Sequence, residues 1–115
     1  MSVTIYHNPR CSKSRQGLAL LQQRGVEAQV VEYLKSPPNA ATLKQVLAML
    51  NMAPRDLMRK KEAPYQELGL ADKDLSDDAL IEAMISHPIL IERPIVVSGD
   101  RAALGRPPEQ VLEIL

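Results

Sequence analysis

A strand, a helix and a second strand follow one another within the first 33 residues, and this order most constrains the fold. Residues Val3–Tyr6 are β-formers. Leu18 and Leu21 then recur at helical spacing, before Val26–Tyr33 returns to β-branched residues. Two strands joined by a helix form a βαβ unit, whose strands pair in parallel.

The middle of the chain is predicted to be helical, and its last quarter returns to strands. Helices are predicted to begin after Asn39, at Pro54, at Pro64 and after Ser76. A hairpin from Pro94 to Leu104 and a short helix opened by Pro107 follow. The order βαβ, helical insert (about 39–88), ββα predicts an α/β fold: a small mixed sheet flanked by helices. This is the thioredoxin-like arrangement, and we expect one domain over residues 1–115.

The composition excludes proteins that hold nucleic acid or anionic membranes by bulk charge. Fourteen basic and fourteen acidic residues give a formal net charge of zero. The chain has no predicted leader or membrane span. One cysteine cannot form an internal disulfide, and a free thiol suits a reducing compartment. We therefore expect a cytoplasmic, soluble monomer that binds neither nucleic acid nor membrane.

Cys11 stands where the first strand passes into the first helix. The N–H groups of a first helical turn stabilise negative charge, and Arg10, Lys13 and Arg15 are close in sequence. This environment favours a thiolate nucleophile. The alternative is a buried structural cysteine, but such residues usually have apolar neighbours and this one does not.

The cysteine count limits the chemistry of that nucleophile. Position 14 is Ser14, so there is no C-x-x-C motif and no second thiol to complete a two-electron reduction. An external thiol such as glutathione or glutaredoxin must do so. No metal site is predicted, because neither histidine has other ligand types at metal spacing.

Three arginines, Arg59, Arg93 and Arg106, are candidates to bind an anion. Arg93 and Arg106 each precede a proline, which restricts the backbone that aims the side chain. In a thioredoxin-like fold Pro94, which opens a strand, is expected to be cis and to lie beside the nucleophile. Three guanidinium groups near Cys11 would bind a tetrahedral oxyanion.

Long ordered stretches of the chain resemble the glutaredoxin-linked arsenate reductase (ArsC) family. They are Ile5–Cys11, Leu57–Arg59, Pro64–Leu70, His87–Val97 and Gly105–Pro107. The resemblance implies that Cys11 attacks arsenate to form a covalent adduct, which external thiols resolve with release of arsenite. It also implies that no cofactor is bound, that glutathione is a co-substrate and that glutaredoxin is a partner.

The resemblance assigns roles to further residues. It places Arg59, Arg93 and Arg106 on the family's oxyanion-binding positions, and His7 on the position that influences the cysteine. Ser12 and Ser14 are expected to take part in substrate binding. The run Ser12-Lys13-Ser14 and the end of the chain at Leu115 resemble a short housekeeping branch of the family.

Two other functions remain open on the sequence. One is a glutathione-dependent reductase of thiols or mixed disulfides, in which the anion site would hold a glutathione carboxylate. The other is a non-enzymatic regulator that binds RNA polymerase, a role usually accompanied by a C-x-x-C switch. Ser14 removes that switch.

Overall fold

The computed structural model describes residues 2–115 and divides the chain into two compact units. The first unit runs to Ser36 and resumes at Arg93, and the second is Pro37–Glu92. The second unit corresponds to the helical insert predicted at about 39–88. The prediction that the whole chain is one domain stays a prediction.

The first unit is built on a four-stranded mixed sheet. Its elements are β1 (Val3–His7), α1 (Ser12–Gln23), β2 (Ala28–Glu32), β3 (Ile95–Ser98), β4 (Arg101–Leu104) and a 3₁₀ helix at Pro108–Ile114. The strand order is β2-β1-β3-β4. Strand β1 pairs in parallel with β2 and antiparallel with β3, and β3 and β4 are antiparallel. The predicted βαβ unit, hairpin and mixed sheet are confirmed.

Strand β1 directs alternate side chains into the core of the first unit. Val3, Ile5 and His7 are buried, whereas the two residues between them are half-buried. This alternation follows from the two-residue period of a strand. The apolar core of the unit consists of Val3, Ile5, Leu21, Val96, Val111 and Ile114. His7 therefore continues the core-facing row of β1 at the strand's carboxyl end.

The second unit is helical. Its helices are α2 (Ala40–Leu50), α3 (Pro54–Leu57), α4 (Ala63–Glu67) and α5 (Asp77–Ser86), followed by a 3₁₀ turn at Pro88–Leu90. The two predicted N-caps are confirmed: Asn39 Oδ1 accepts from Thr42 N–H at 2.8 Å, and Ser76 Oγ accepts from Ala79 N–H at 3.1 Å.

Helix α3 is shorter than the sequence indicated. It was expected to reach about Arg59 but ends at Leu57. Met58 has an extended backbone and pairs with Ile91 in an antiparallel bridge. Arg59 N–H then donates to the Leu90 carbonyl at 2.6 Å. These long-range backbone bonds replace the next helical turn.

No helix within residues 2–115 is long and apolar enough to cross a membrane.

Pro94 is buried where two glycines approach it closely. The Arg93–Pro94 peptide bond is cis, the geometry expected from the sequence. A Cβ atom on Gly105 would lie 2.6 Å from Pro94 Cγ, and one on Gly17 would lie 3.0 Å from it. Both glycines are therefore required by the close approach of backbone to the proline ring.

We expect Gly105→Ala to destabilise the protein by about 1–3 kcal/mol, because the added methyl group overpacks against Pro94. The free energy of unfolding in urea measures the effect. Gly25→Ala is the control: Gly25 has a φ of +69° but no atom within 4 Å of an added Cβ, so only backbone strain of about 1 kcal/mol is expected. A smaller loss for Gly105→Ala than for Gly25→Ala would contradict this account.

Candidate active site

Cys11 is the N-cap residue of α1 and is half-buried. Its backbone is extended, with φ −95° and ψ 124°. Its N–H donates to the Asn8 carbonyl and its carbonyl accepts from Arg15 N–H, both at 3.0 Å. These bonds fix the short link between β1 and α1 on both sides of the cysteine.

The surroundings of the Cys11 sulfur favour the thiolate. Burial raises the pKa of this thiol, but four other influences together outweigh it. Backbone N–H groups of Ser14 and Lys13, in the first turn of α1, lower the pKa by hydrogen bonding. The Arg93 guanidinium lowers it further through a hydrogen bond and its positive charge. The net pKa of Cys11 is below the ordinary value, as the sequence predicted.

Arg93 is held between Cys11 and Tyr33. Burial lowers the pKa of Arg93, but interactions with Cys11 and Tyr33 raise it more, so its net pKa is above the ordinary value. The Nε and Nη1 atoms are buried and have no hydrogen-bond acceptor within residues 2–115. Leaving such donors unmet costs free energy, so this side chain is suited to bind an anion beside the sulfur.

Arg106 is joined to this group through the backbone of Arg93. Its Nε donates to the Arg93 carbonyl at 3.1 Å, although the side chain is mostly exposed. The structure thus places Arg93 beside Cys11, and Arg106 beside the backbone of Arg93.

Arg59 lies in the second unit, between two carboxylates. Its Nε donates to Glu62 at 3.3 Å and its Nη1 to Glu92 at 3.2 Å. The side chain is only 22% exposed, so it is not a freely solvated surface residue. A guanidinium has five N–H donors, so these two bonds leave three for other acceptors.

The two serines differ in what they present to the cysteine. Ser12 begins α1 and is exposed. Ser14 is fully buried, and its hydroxyl accepts from Asn8 N–H at 2.9 Å and bonds His7 Nδ1 at 2.6 Å. The hydroxyl of Ser14 is therefore engaged in this network, and only its backbone N–H acts on the sulfur. An oxyanion role for the Ser14 hydroxyl would require these bonds to be broken.

His7 is connected to Cys11 through Ser14. Burial lowers the pKa of His7 and the Arg15 charge adds to this, while the Glu32 carboxylate and the Ser14 hydrogen bond oppose it. The net pKa lies below the ordinary value of about 6.5. His7 is consequently neutral at pH 7, and its described hydrogen bond orients Ser14 and the cysteine loop.

Tyr33 is a site residue that sequence reasoning took only as a strand former. It is 1% exposed and follows the last residue of β2. Its contact with Arg93 raises the pKa of that arginine. The one available signal was its position at the carboxyl end of a strand parallel to β1, because such ends meet at one edge of a sheet.

No three His, Cys, Asp or Glu side chains among residues 2–115 are grouped as a metal site would require.

Comparison with known proteins gives one family. The ArsC family model matches residues 6–114. The chain is 60% identical to the Escherichia coli (strain K12) protein called "Uncharacterized protein YfgD", over 98% of this chain and 96% of that protein. It is 48% identical to an arsenate reductase of Neisseria meningitidis (strain Z2491), over 98% and 97% of the two chains.

A solved structure is similar throughout its length. The arsenate reductase from Vibrio cholerae superposes with a TM-score of 0.97 at 57% identity, covering 100% of this chain and 98% of that one.

We expect Arg93→Met to raise the pKa of Cys11, because the substitution removes a hydrogen bond and a positive charge but keeps an aliphatic side chain. The pH dependence of Cys11 alkylation by iodoacetamide measures this pKa. We expect the pH midpoint of alkylation to lie below the ordinary pKa of a thiol in the wild-type protein, and to be higher in Arg93→Met.

Arg24→Met is the matched control, because Arg24 is an exposed arginine at the other end of α1. Its alkylation profile should coincide with that of the wild-type protein. Equal midpoints for Arg93→Met and wild type would remove Arg93 from the account of the thiolate.

Proposed function

Since the chain belongs to the ArsC family, we propose that it reduces arsenate to arsenite, with Cys11 as nucleophile and glutathione and glutaredoxin as the source of electrons. The observation that carries this proposal is the pairing of a low-pKa thiol with a half-buried guanidinium that has two buried donor nitrogens without an acceptor. A thiolate alone would serve many reactions. A thiolate beside anion-binding donors suits an electrophile that is itself an oxyanion.

In the first step the Arg93 guanidinium and the N–H groups of the first turn of α1 bind arsenate oxygens. Charge-assisted hydrogen bonds of this kind are short and directional. The Cys11 thiolate attacks arsenic, a sulfur–arsenic bond forms, and one arsenate oxygen takes up protons and leaves as water. Arsenic remains in the +5 state in this adduct.

In the second step an external glutathione thiolate attacks the Cys11 sulfur. A sulfur–sulfur bond forms while the sulfur–arsenic bond breaks, and its electron pair stays on arsenic, which becomes +3 and leaves as arsenite. A thiol of glutaredoxin or a second glutathione then attacks the mixed disulfide and restores the Cys11 thiol. Two thiols are oxidised for each arsenate reduced.

The dependence on external thiols rests on the residues themselves. Cys11 is the one cysteine of the chain, so the chain has no second thiol that could form an internal disulfide and complete the two-electron reduction. His7 is neutral and holds Ser14, whose backbone N–H supports the thiolate. His7 therefore acts in this proposal as a positioning residue for the cysteine loop.

Arsenite production from arsenate, with glutathione and glutaredoxin present, tests the proposal. The wild-type protein should turn over, and Cys11→Ser should give no arsenite above the uncatalysed rate, because the hydroxyl of serine stays protonated at neutral pH. Ser86→Ala is the control, since Ser86 is exposed at the end of α5 and its substitution leaves the thiol in place. Reduction of a glutathionylated substrate without arsenite production would replace arsenate reduction by disulfide reduction.

Arg59 is proposed from the family resemblance as an additional oxyanion ligand. Removing one charge-assisted hydrogen bond, worth about 1.5–3 kcal/mol, should raise the KM for arsenate roughly tenfold to hundredfold in Arg59→Ala. Lys60→Ala is the neighbouring control with an exposed cation, and its KM should be unchanged. If the two variants have the same KM, Arg59 serves only its ion pairs with Glu62 and Glu92.

A further inference from the structure

A cavity at the carboxyl ends of β1 and β2 adjoins the cysteine loop and has no part in the reaction steps above. We propose that it binds the carboxylate-bearing peptide thiol that resolves the Cys11 adduct, an inference that rests on the proposed function. The cavity has a volume of about 310 Å³. This lies at the small end of the range for small-molecule sites, roughly 300–1,000 Å³.

The position of the cavity relates it to the nucleophile. Asn8, Pro9 and Arg10 form one wall, and Cys11 is the next residue along the chain. The hydrogen bond from Cys11 N–H to the Asn8 carbonyl, at 3.0 Å, ties the sulfur-bearing residue to that wall. In parallel sheets the carboxyl ends of the strands are the usual place for ligands. A molecule bound here lies against the loop that carries Cys11.

The charges around the cavity match a zwitterionic peptide. Arg10 and Lys35 supply two cations, and Glu32 supplies one carboxylate. Glutathione has the complementary set of two carboxylates and one ammonium group. Lys35 and Glu32 are 3.9 Å apart and largely exposed, so their mutual attraction is weak and both can turn to a ligand at little cost.

Two uncharged groups complete the cavity. Leu34 is 41% exposed and gives an apolar surface for the methylene groups of a peptide. His7 is buried and also lines the cavity; its Nδ1 is bonded to Ser14, and its Nε2 has no hydrogen-bond partner among the described residues. That nitrogen can bond a peptide group of the ligand.

Binding is tested with S-methylglutathione, whose blocked sulfur cannot react, added to ¹⁵N-labelled wild-type protein. We expect the NMR chemical shifts of the backbone amides to change at Arg10, Glu32, Leu34 and Lys35. Lys35→Glu should raise the dissociation constant of S-methylglutathione at least fivefold, because the substituted side chain repels a ligand carboxylate that the lysine attracts. Lys73→Glu is the matched control, since Lys73 is an exposed lysine outside the cavity. Its dissociation constant should equal that of the wild type.

The dimethyl ester of S-methylglutathione identifies the groups recognised. We expect it to bind at least fivefold more weakly than the free acid, because both carboxylates are neutralised. Amide shifts confined to other parts of the chain, or equal dissociation constants for Lys35→Glu and Lys73→Glu, would overturn the proposal.

The KM for glutathione in arsenite production separates this inference from the proposed function. It should rise in Lys35→Glu by the same factor as the dissociation constant and stay unchanged in Lys73→Glu. If S-methylglutathione binds in the cavity but the protein produces no arsenite, the proposed function is contradicted and the cavity is still supported as a glutathione site. If Lys35→Glu produces arsenite with an unchanged KM for glutathione, the cavity is not the glutathione site, and the proposed function is unaffected.

Discussion

The interaction between the Cys11 sulfur and the Arg93 guanidinium is the constraint on which the rest of the site depends. Burial by itself would raise the pKa of the thiol, and the guanidinium with the first-turn N–H groups reverses that effect. The same half-buried arginine has two buried donor nitrogens, Nε and Nη1, without an acceptor among residues 2–115. One pair of side chains thus combines a thiol with a lowered pKa and guanidinium donors that could hold an anion beside it.

The sheet makes this pair possible through its register. Strand β1 is antiparallel to β3 with Tyr6 opposite Ile95, so Arg93 lies just beyond the end of β1. On its other side β1 is parallel to β2 with His7 opposite Glu32, which brings Tyr33 to the same edge. The loop that carries Cys11 leaves β1 between these two neighbours. A shift of one residue in either pairing would reverse which side chains face the core.

Much of the fold was predictable because its signals are local. Helix caps at Asn39 and Ser76, proline at helix starts and runs of β-forming residues are all properties of short segments, and the caps were found where expected. The end of α3 was not predictable, because Met58 leaves the helix to pair with Ile91, 33 positions along the chain. The contacts of the charged residues were harder still to predict, since the sequence does not indicate which acceptor an arginine side chain will bond.

The sequence by itself determined the order of strands and helices, a cysteine at a helix N-terminus, and the absence of a second thiol from the chain. Each follows from residue type, spacing or count. The tertiary structure alone decided that Arg93 meets the sulfur and that Tyr33 lies near Arg93. It also decided that Ser14 offers Cys11 a backbone N–H while its hydroxyl bonds His7. These are contacts between distant residues, and only the register of the assembled strands specifies them.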